Sequence, residues 1–192
     1  PGTVTIGGKT GSVADLSIGD KTGTWTGATP VGTLDLRGHV ATVVAGTVTL
    51  GKEDHTGIKE SGATGYLYFD TGTFTATNLV MGLKTGFNTG VWARATGTLT
   101  VSGGVFTVIN SNAFTFASQS GAGYANATLN LNGGIFRTYS DILTGTSNCT
   151  SIINLDGGTL DMTGCAIGLN AQTVTVFNAR SGTLMNLGQF NN

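Results

Sequence analysis

The sequence has little charge and little proline, and these two shortages exclude several classes of protein. Only 10% of its 192 residues are charged, the formal net charge is −1, and the nine Lys and Arg residues are scattered. Nucleic-acid binding needs clustered basic residues to neutralise phosphates, so no nucleic-acid partner is expected. Two prolines beside 32 glycines, with no glycine at every third position, exclude collagen.

Long apolar runs and the composition of disordered chains are also missing. No hydrophobic stretch approaches the roughly 18 residues that a membrane helix needs, so no membrane span is expected. Hydrophobic residues make up 39% of the chain and recur periodically, unlike the polar, highly charged composition of disordered segments. The length suits one domain, and we expect a single domain over residues 1–192.

What the sequence does contain is one alternating pattern that recurs. In residues 98–108, apolar residues alternate with Thr and Ser on both sides of Gly103 and Gly104. Alternation with period two is typical of strands with one buried face, and glycine allows the backbone to turn with positive φ. The stretch therefore predicts a strand, a glycine turn and a second strand.

This pattern aligns without a gap at five other places, so that three apolar columns run through six repeats. The first column is Leu34, Leu67, Leu99, Leu129, Ile153 and Phe177. The second column is Leu36, Phe69, Val101, Leu131, Leu155 and Ala179. The third column, after the glycines, is Ala41, Phe74, Phe106, Phe136, Leu160 and Leu184. Members of the second column are 33, 32, 30, 24 and 24 residues apart, a spacing typical of stacked supersecondary units.

Each repeat also contains a third short apolar strand that ends in a small residue, at 48–51, 79–82, 114–117 and 165–168. Without any helical periodicity, the pattern predicts an all-β, right-handed parallel β-solenoid (β-helix) of about six to seven coils of three short strands. Residues 1–20 would form a partial first coil and residues 21–192 the repeats. A sandwich or antiparallel barrel would not explain the recurring columns. The predicted turn glycines are Gly72, Gly103, Gly104, Gly133, Gly134, Gly157, Gly158 and Gly182.

A variable segment separates the third strand of each repeat from the first strand of the next. It spans 51–65 and 82–97 in the longest examples, shortens toward the C-terminus, and carries most of the charge and both tryptophans. Insertions that gather on one edge of a repeat protein often form its binding face. The candidate ligand contacts at this loop edge are Trp25, Tyr66, Tyr68, Trp92 and Arg94.

The motif Leu-x-Leu-x-Gly-Gly-x-Phe/Leu, preceded by a hydrophobic-glycine turn as at Ile18 and Gly19 or Met81 and Gly82, resembles the autotransporter-associated β-strand repeat family. Similar Gly/Thr/Asn-rich repeats occur in exported bacterial surface proteins. The resemblance covers nearly the whole chain. It implies an extracellular or cell-surface β-solenoid that serves as a stalk, passenger or surface fibre, and it implies no catalytic residues.

The sequence offers little catalytic or metal-binding chemistry. One candidate is a calcium or catalytic-carboxylate cluster formed by Asp70, Asn132 and Asp156, which directly follow the second column. Stacked rungs about 4.8 Å apart would leave the two aspartates roughly 14 Å from each other, too far for such a cluster. Local turn hydrogen bonding is the simpler role for them. His39 and His55 each lack the convergent ligands that a metal site needs. With no nucleophile, phosphate-loop or zinc-protease motif, we expect no enzymatic activity, no cofactor and no metal.

Two structural features are also predicted. The residues just before the second column, Asp35, Tyr68, Thr100, Asn130, Asn154 and Asn178, should face outward, and three successive Asn residues would form an amide ladder. Cys149 and Cys165 lie in one repeat and are both expected to face the interior. Either a disulfide across the coil, contributing about 3 kcal/mol, or two separately buried thiols fits this placement. Asn126 and Asn148 lie in sequons that would permit glycosylation in a eukaryotic host.

Strand patterning runs from near Pro1 to Phe190 without a polar or helical cap, which predicts coil edges open to pairing. The predicted function is therefore structural, a subunit or segment of a surface fibre, filament or adhesin stalk that assembles end to end with copies of itself or with adjacent domains. The alternative is a glycan- or surface-binding module that uses the loop edge. An ice-binding solenoid or a polysaccharide-active enzyme fits less well, because the Thr-x-Thr pairs fall on different strands and paired glycosidase acids are missing.

Overall fold

The architecture comes from a computed structural model of the chain, which describes residues 2–9, 12–23, 29–55, 62–86, 93–111 and 114–192. These residues form thirteen strands and no helix, so none of them belongs to a helix that could cross a membrane. The strands are β1 Thr3–Ile6, β2 Ala14–Gly23, β3 Val31–Asp35, β4 Val40–His55, β5 Gly62–Phe69, β6 Gly72–Lys84, β7 Arg94–Val108, β8 Phe114–Gln119, β9 Tyr124–Thr138, β10 Cys149–Asp161, β11 Ala166–Ile167, β12 Val176–Met185 and β13 Gln189–Phe190.

All pairings between the described strands are parallel, and eleven of the strands form one large sheet. Partners lie one repeat apart: β7 pairs with β9, β9 with β10, and β10 with β12. Hairpins would instead pair neighbouring strands in antiparallel fashion. The predicted all-β, parallel character is therefore confirmed, and the antiparallel alternatives are excluded.

The first apolar column is confirmed in all six repeats. Its members are consecutive register partners from Leu34 to Phe177. The four inner members are fully buried, whereas Leu34 and Phe177 are only partly buried. The two outer members differ because, among the described strands, each has a neighbour of this column on one side only. Alternate burial along the strands therefore produces a continuous core between the repeats.

The third apolar column was wrong at its first member. The gapless alignment placed Ala41 opposite Phe74, but Val43 is the register partner of Phe74 and Ala41 pairs with Gly72. A turn at residues 37–39 adds two residues to this repeat, which shifts the alignment. The corrected column is Ile6, Val43, Phe74, Phe106, Phe136, Leu160 and Leu184. Its three phenylalanine rings stack with centroids 4.4 and 5.5 Å apart, which adds aromatic packing to the burial of apolar surface.

The glycine pairs bend a continuous strand rather than joining two separate strands. β7 runs through Gly103 and Gly104, and its two halves both pair with β9, Leu99 with Leu129 before the glycines and Phe106 with Phe136 after them. The register is irregular only around Ser102, and Gly104 has a φ of 67°, a conformation that glycine adopts readily. Positive φ values also occur at Gly72, Gly134, Gly157 and Gly182. The strand therefore changes direction and keeps β9 as its neighbour on one side, while on the other side its first half pairs with β5 and its second half with β6.

Candidate functional site

The candidate loop-edge residues are distributed over several parts of the molecule. Trp25 and Trp92 lie outside the described residues. Tyr66 and Tyr68 project from one side of β5, with ring centroids 6.3 Å apart and planes inclined by 10°. Arg94 begins β7, and its guanidinium carbon lies 5.8 Å from the ring centroid of Tyr124 on the neighbouring strand. Tyr124 was not singled out from the sequence, since it follows a shorter segment without tryptophan.

The Tyr68 ring is occupied on one face by Arg37, whose guanidinium carbon lies 4.2 Å from the ring centroid. Arg37 is held there by Asp35 through hydrogen bonds of 2.8 Å from Nε to Oδ1 and 2.6 Å from Nη2 to Oδ2. These hydrogen bonds lower the pKa of Asp35 to about 2. Both charged side chains are about half exposed, so the ion pair contributes little to stability. With Arg37 beside it and Tyr66 stacked nearby, Tyr68 has little free ring surface for a sugar.

At the loop edge the sheet continues beyond the third strand of the repeat. β4 passes through Gly51, and Lys52 and Glu53 pair with Leu83 and Lys84 of β6. The sequence interpretation, in which a loop begins at Gly51, was therefore wrong for these residues. We call residues 20–23, 52–55, 83–84 and 118–119 the outgoing arm. Gly51 has a φ of 67°. A Cβ added at Gly51 would lie 1.9 Å from the backbone oxygen of Thr96, so the backbone of residue 51 packs directly against that of residue 96 at the start of the arm.

A column of buried charged side chains runs along the outgoing arm. Lys21, Glu53 and Lys84 are successive register partners, and Gln119 follows. The Nζ of Lys84 lies 2.7 Å from Oε2 of Glu53, and both side chains are fully buried. Lys21 is only 7% exposed, and Lys84 also donates to the backbone oxygen of Gly86. Because buried charges are costly unless they are paired, we interpret this column as a device that selects the register rather than as a large source of stability.

Small buried residues line the strands that return from the loop edge. We call residues 62–64, 94–96 and 124–126 the returning arm. Ala63, Ala95 and Ala125 are register partners within it and are almost completely buried. A Cβ added at Gly82 would lie 2.1 Å from the backbone oxygen of Asn126, just as one at Gly51 would meet Thr96, so the two arms pack against each other where the outgoing arm begins. The loop edge is therefore a thin two-layered extension with an ionic column on one arm and alanines on the other.

The sequence contained a signal for the ionic column that was not used. Lys21, Glu53 and Lys84 each lie two positions after the third-strand glycines Gly19, Gly51 and Gly82. From the sequence, these charged residues were assigned to the variable segments of the loop edge. A column that alternates Lys, Glu and Lys at one repeat position would have indicated pairing between neighbouring strands.

The predicted amide ladder is confirmed. Asn178 donates from Nδ2 to Oδ1 of Asn154 at 2.8 Å, and Asn154 donates to Oδ1 of Asn130 at 2.7 Å. Asn130 in turn donates to Oγ1 of Thr100 at 3.2 Å. A shorter ladder that the sequence interpretation missed links Asn110, Asn78 and Thr47, with distances of 3.0 and 3.2 Å. These side-chain bonds run between repeats and reinforce the backbone register.

A second ionic group links three successive repeats near the C-terminal end. Asp161 is 3% exposed and accepts hydrogen bonds of 2.8 Å from Nε of Arg137, 2.8 Å from Nδ2 of Asn186 and 3.2 Å from the backbone of Thr163. Burial alone would raise the pKa of Asp161, but these hydrogen bonds outweigh it and lower the pKa. The carboxylate therefore connects β10 to the strand before it and to the turn after β12.

Asp70 and Asp156 form contacts between neighbouring repeats rather than the local turn hydrogen bonds that the sequence suggested. The backbone of Gly38 donates to Oδ2 of Asp70 at 2.8 Å, and Asp156 lies 3.8 Å from Arg180 in an exposed ion pair. Within the described part of the chain, no group of three or more His, Cys, Asp or Glu residues could hold a metal ion. The side chain of His55 lies outside the described residues.

The two cysteines are separate, half-buried thiols that pack against the core. Burial raises the pKa of both Cys149 and Cys165. Cys149 donates from Sγ to the backbone oxygen of Ser147 at 3.1 Å. Of the two arrangements left open by the sequence, the structure contains the separate thiols, and their raised pKa values disfavour the reactive thiolate.

Comparisons of the chain with protein-family models, curated proteins and solved structures found no match.

Proposed function

We propose that this chain is a structural extracellular protein, a right-handed parallel β-solenoid of the autotransporter-associated repeat type that forms a segment or subunit of a surface fibre, filament or adhesin stalk. The coiling is supported by the pairing order. Successive segments of one repeat pair with the equivalent segments of the next, always in parallel and always one repeat along. In a solenoid each repeat contacts its neighbours in this way.

The observation that carries the proposal is the position of the partly buried core residues. Apart from the two cysteines, they all lie in the first or the last turn: Val4, Ile6, Leu16, Leu34, Phe177, Leu184 and Leu187. Their counterparts in the inner repeats are almost completely buried. A further turn at either end would bury this apolar surface, and each Å² buried would stabilise the contact by about 25 cal/mol. The two outer turns are thus suited to stacking on another turn.

The backbone supports the same role. β1 and β12 are the outermost strands of the large described sheet, and each pairs there with a single neighbour. An edge strand presents unpaired N–H and C=O groups that can pair with another chain. Main-chain hydrogen bonds and apolar columns would together hold one molecule, or an adjacent domain, onto the next. The role needs no cofactor and no catalytic residue.

Electron microscopy of the purified chain at several concentrations tests the proposal. We expect end-to-end filaments about one solenoid wide, and we expect Leu184→Asp to shorten or abolish them because it places a charge on the last turn. Ile109→Asp is the matched control, since Ile109 is 49% exposed in an inner repeat and should tolerate the charge. Single particles at every concentration, with sedimentation of a monomer, would overturn the fibre proposal.

A second candidate is a glycan- or surface-binding role at the loop edge, which Arg94 and Tyr124 favour. The Arg94 guanidinium lies over one face of the Tyr124 ring at 5.8 Å, farther than Arg37 lies from Tyr68, and Tyr124 is 36% exposed. A sugar could stack on such a ring while the guanidinium binds its hydroxyl groups. Tyr124→Ala should then reduce retention on immobilised polysaccharides, whereas Tyr139→Ala, at an exposed position away from the arm, should not. Equal retention of both variants would exclude this role for Tyr124.

A further inference from the structure

We propose that the fibre junction is head to tail and in register, with the last turn of one molecule stacked on the first turn of a second molecule. This inference rests on the proposed fibre function and specifies its partner and its geometry. Leu184 would lie against Ile6 of the second molecule, and Phe190 would lie against its Leu16.

The apolar columns carry the inference because they run from one outer turn to the other. The corrected third column is continuous from Ile6 in β1 to Leu184 in β12. A column on the third strands also has seven members and is continuous from Leu16 in β2 to Phe190 in β13. Stacking the last turn on a first turn would extend both of these columns at once. Along these two columns the junction would repeat the contact that each repeat already makes with the next, whereas the first column, with six members, would keep one open rung between Phe177 and Leu34 of the second molecule.

Strand polarity selects head-to-tail stacking over head-to-head stacking. All pairings between the described strands are parallel, so the first and last turns run in the same direction around the core. Placing the last turn on a first turn keeps the new pairs parallel and preserves the column positions. Placing two last turns together would make the new pairs antiparallel. A head-to-tail contact uses two different surfaces and does not close on itself, so it generates a filament.

The side chains of the two outer turns are also complementary. On the last turn, the rings of Phe177 and Phe190 meet edge to face with centroids 5.2 Å apart, and Phe190 is 45% exposed. The first turn offers aliphatic Leu16, which is partly buried and would meet Phe190. An aromatic residue against an aliphatic one already occurs within the chain, where Phe136 pairs with Leu160. The junction would therefore be an apolar contact along these columns.

One outward-facing column provides sites for a test. It is continuous through Thr5, Thr42, Thr73, Val105, Ile135, Thr159 and Thr183. Its end members, Thr5 and Thr183, are exposed. Six rungs at about 4.8 Å separate them by roughly 29 Å within one molecule, which no disulfide can span. In the proposed junction, Thr183 and Thr5 of two molecules would be register partners about 4.8 Å apart, within disulfide range.

The experiment uses the full chain with Cys149→Ser and Cys165→Ser, to which Thr5→Cys and Thr183→Cys are added. After mild oxidation we expect covalent multimers on a non-reducing gel that disappear on reduction. The matched control combines Thr3→Cys with Thr183→Cys. In this variant the two cysteines would be two residues out of register at the junction, about 6.6 Å along the strand. The variant should therefore remain mostly monomeric after oxidation. Circular dichroism verifies that each variant is folded before oxidation.

The outcomes separate the junction from the fibre function. Filaments that cross-link equally through both cysteine pairs, or better through the control pair, would overturn the register and leave the fibre function standing. Covalent dimers formed by a variant that carries only Thr183→Cys would mean that two last turns face each other. That result would overturn the head-to-tail polarity. Molecules that stay monomeric at every concentration would overturn both proposals. Cross-linking confined to the register pair is the supporting result.

Discussion

The ammonium group of Lys84 lies 2.7 Å from the carboxylate of Glu53, and both side chains are completely buried between two arms of the loop edge. Lys21 is the register partner of Glu53 on its other side, so the carboxylate lies between two lysines in one column. Because Glu53 is the acidic member of this column, its charge compensates two buried cations. Loss of that charge should therefore be more harmful than loss of a surface ion pair.

We expect Glu53→Gln to lower the free energy of unfolding by about 3–5 kcal/mol, the range for removing one partner of a buried ion pair. Urea denaturation followed by circular dichroism measures the change. Asp54→Asn is the control, since Asp54 forms a half-exposed pair with Lys52 and should cost less than about 1 kcal/mol. Similar small losses for both variants would contradict a structural role for the buried column.

The amide ladder provides a second prediction. Asn154 donates one hydrogen bond to Asn130 and accepts one from Asn178, so Asn154→Ala removes two bonds between repeats. At about 0.5–1.5 kcal/mol for each bond, we expect a loss of roughly 1–3 kcal/mol in the free energy of unfolding. Asn132→Ala, at an exposed position of β9 beside its glycine pair, should change little. If the two variants were equally stable, the ladder would have no measurable role.

Acid should weaken the C-terminal repeats through Asp161. Its pKa is lowered in the folded protein, so its contribution is complete above the unfolded value of about 3.9 and is lost as the pH falls through the folded pKa. Below about pH 4, Asp161→Asn should therefore lose less stability than the parent chain, although the variant is less stable at neutral pH. Denaturation curves between about pH 2 and pH 7 measure this. Parallel pH profiles for parent and variant would count against the prediction.

Much of the fold could be predicted because the repeats provide the same evidence several times. The column from Leu34 to Phe177 and the ladder from Thr100 to Asn178 are paired as the aligned sequence predicts. Residue alternation and glycine placement are local properties, so they can be recognised in each repeat separately. The error at Ala41 arose where one turn is two residues longer, since a gapless alignment cannot detect a local insertion.

The candidate site was less predictable, because its chemistry depends on neighbours distant in sequence. Arg37 covers the Tyr68 ring, and Arg94 lies near the Tyr124 ring. The two residues of each contact are about one repeat apart in the sequence. Such contacts depend on side-chain direction and exposure, which composition does not specify. The choice between a disulfide and two thiols was open for the same reason, since it depends on the separation of Cys149 and Cys165 in space.

By itself, the sequence determined the strand period, the recurring apolar columns, the positions of the bends and the amide ladder. These follow from alternate burial and from the φ freedom of glycine, which are properties of short segments. Only the tertiary structure decided that Val43 rather than Ala41 faces Phe74 and that Lys21, Glu53 and Lys84 are buried together. Burial of a charge depends on what covers it, and here the backbone of Thr64 approaches Gly19 and that of Thr96 approaches Gly51, in each case from more than one repeat further along the chain.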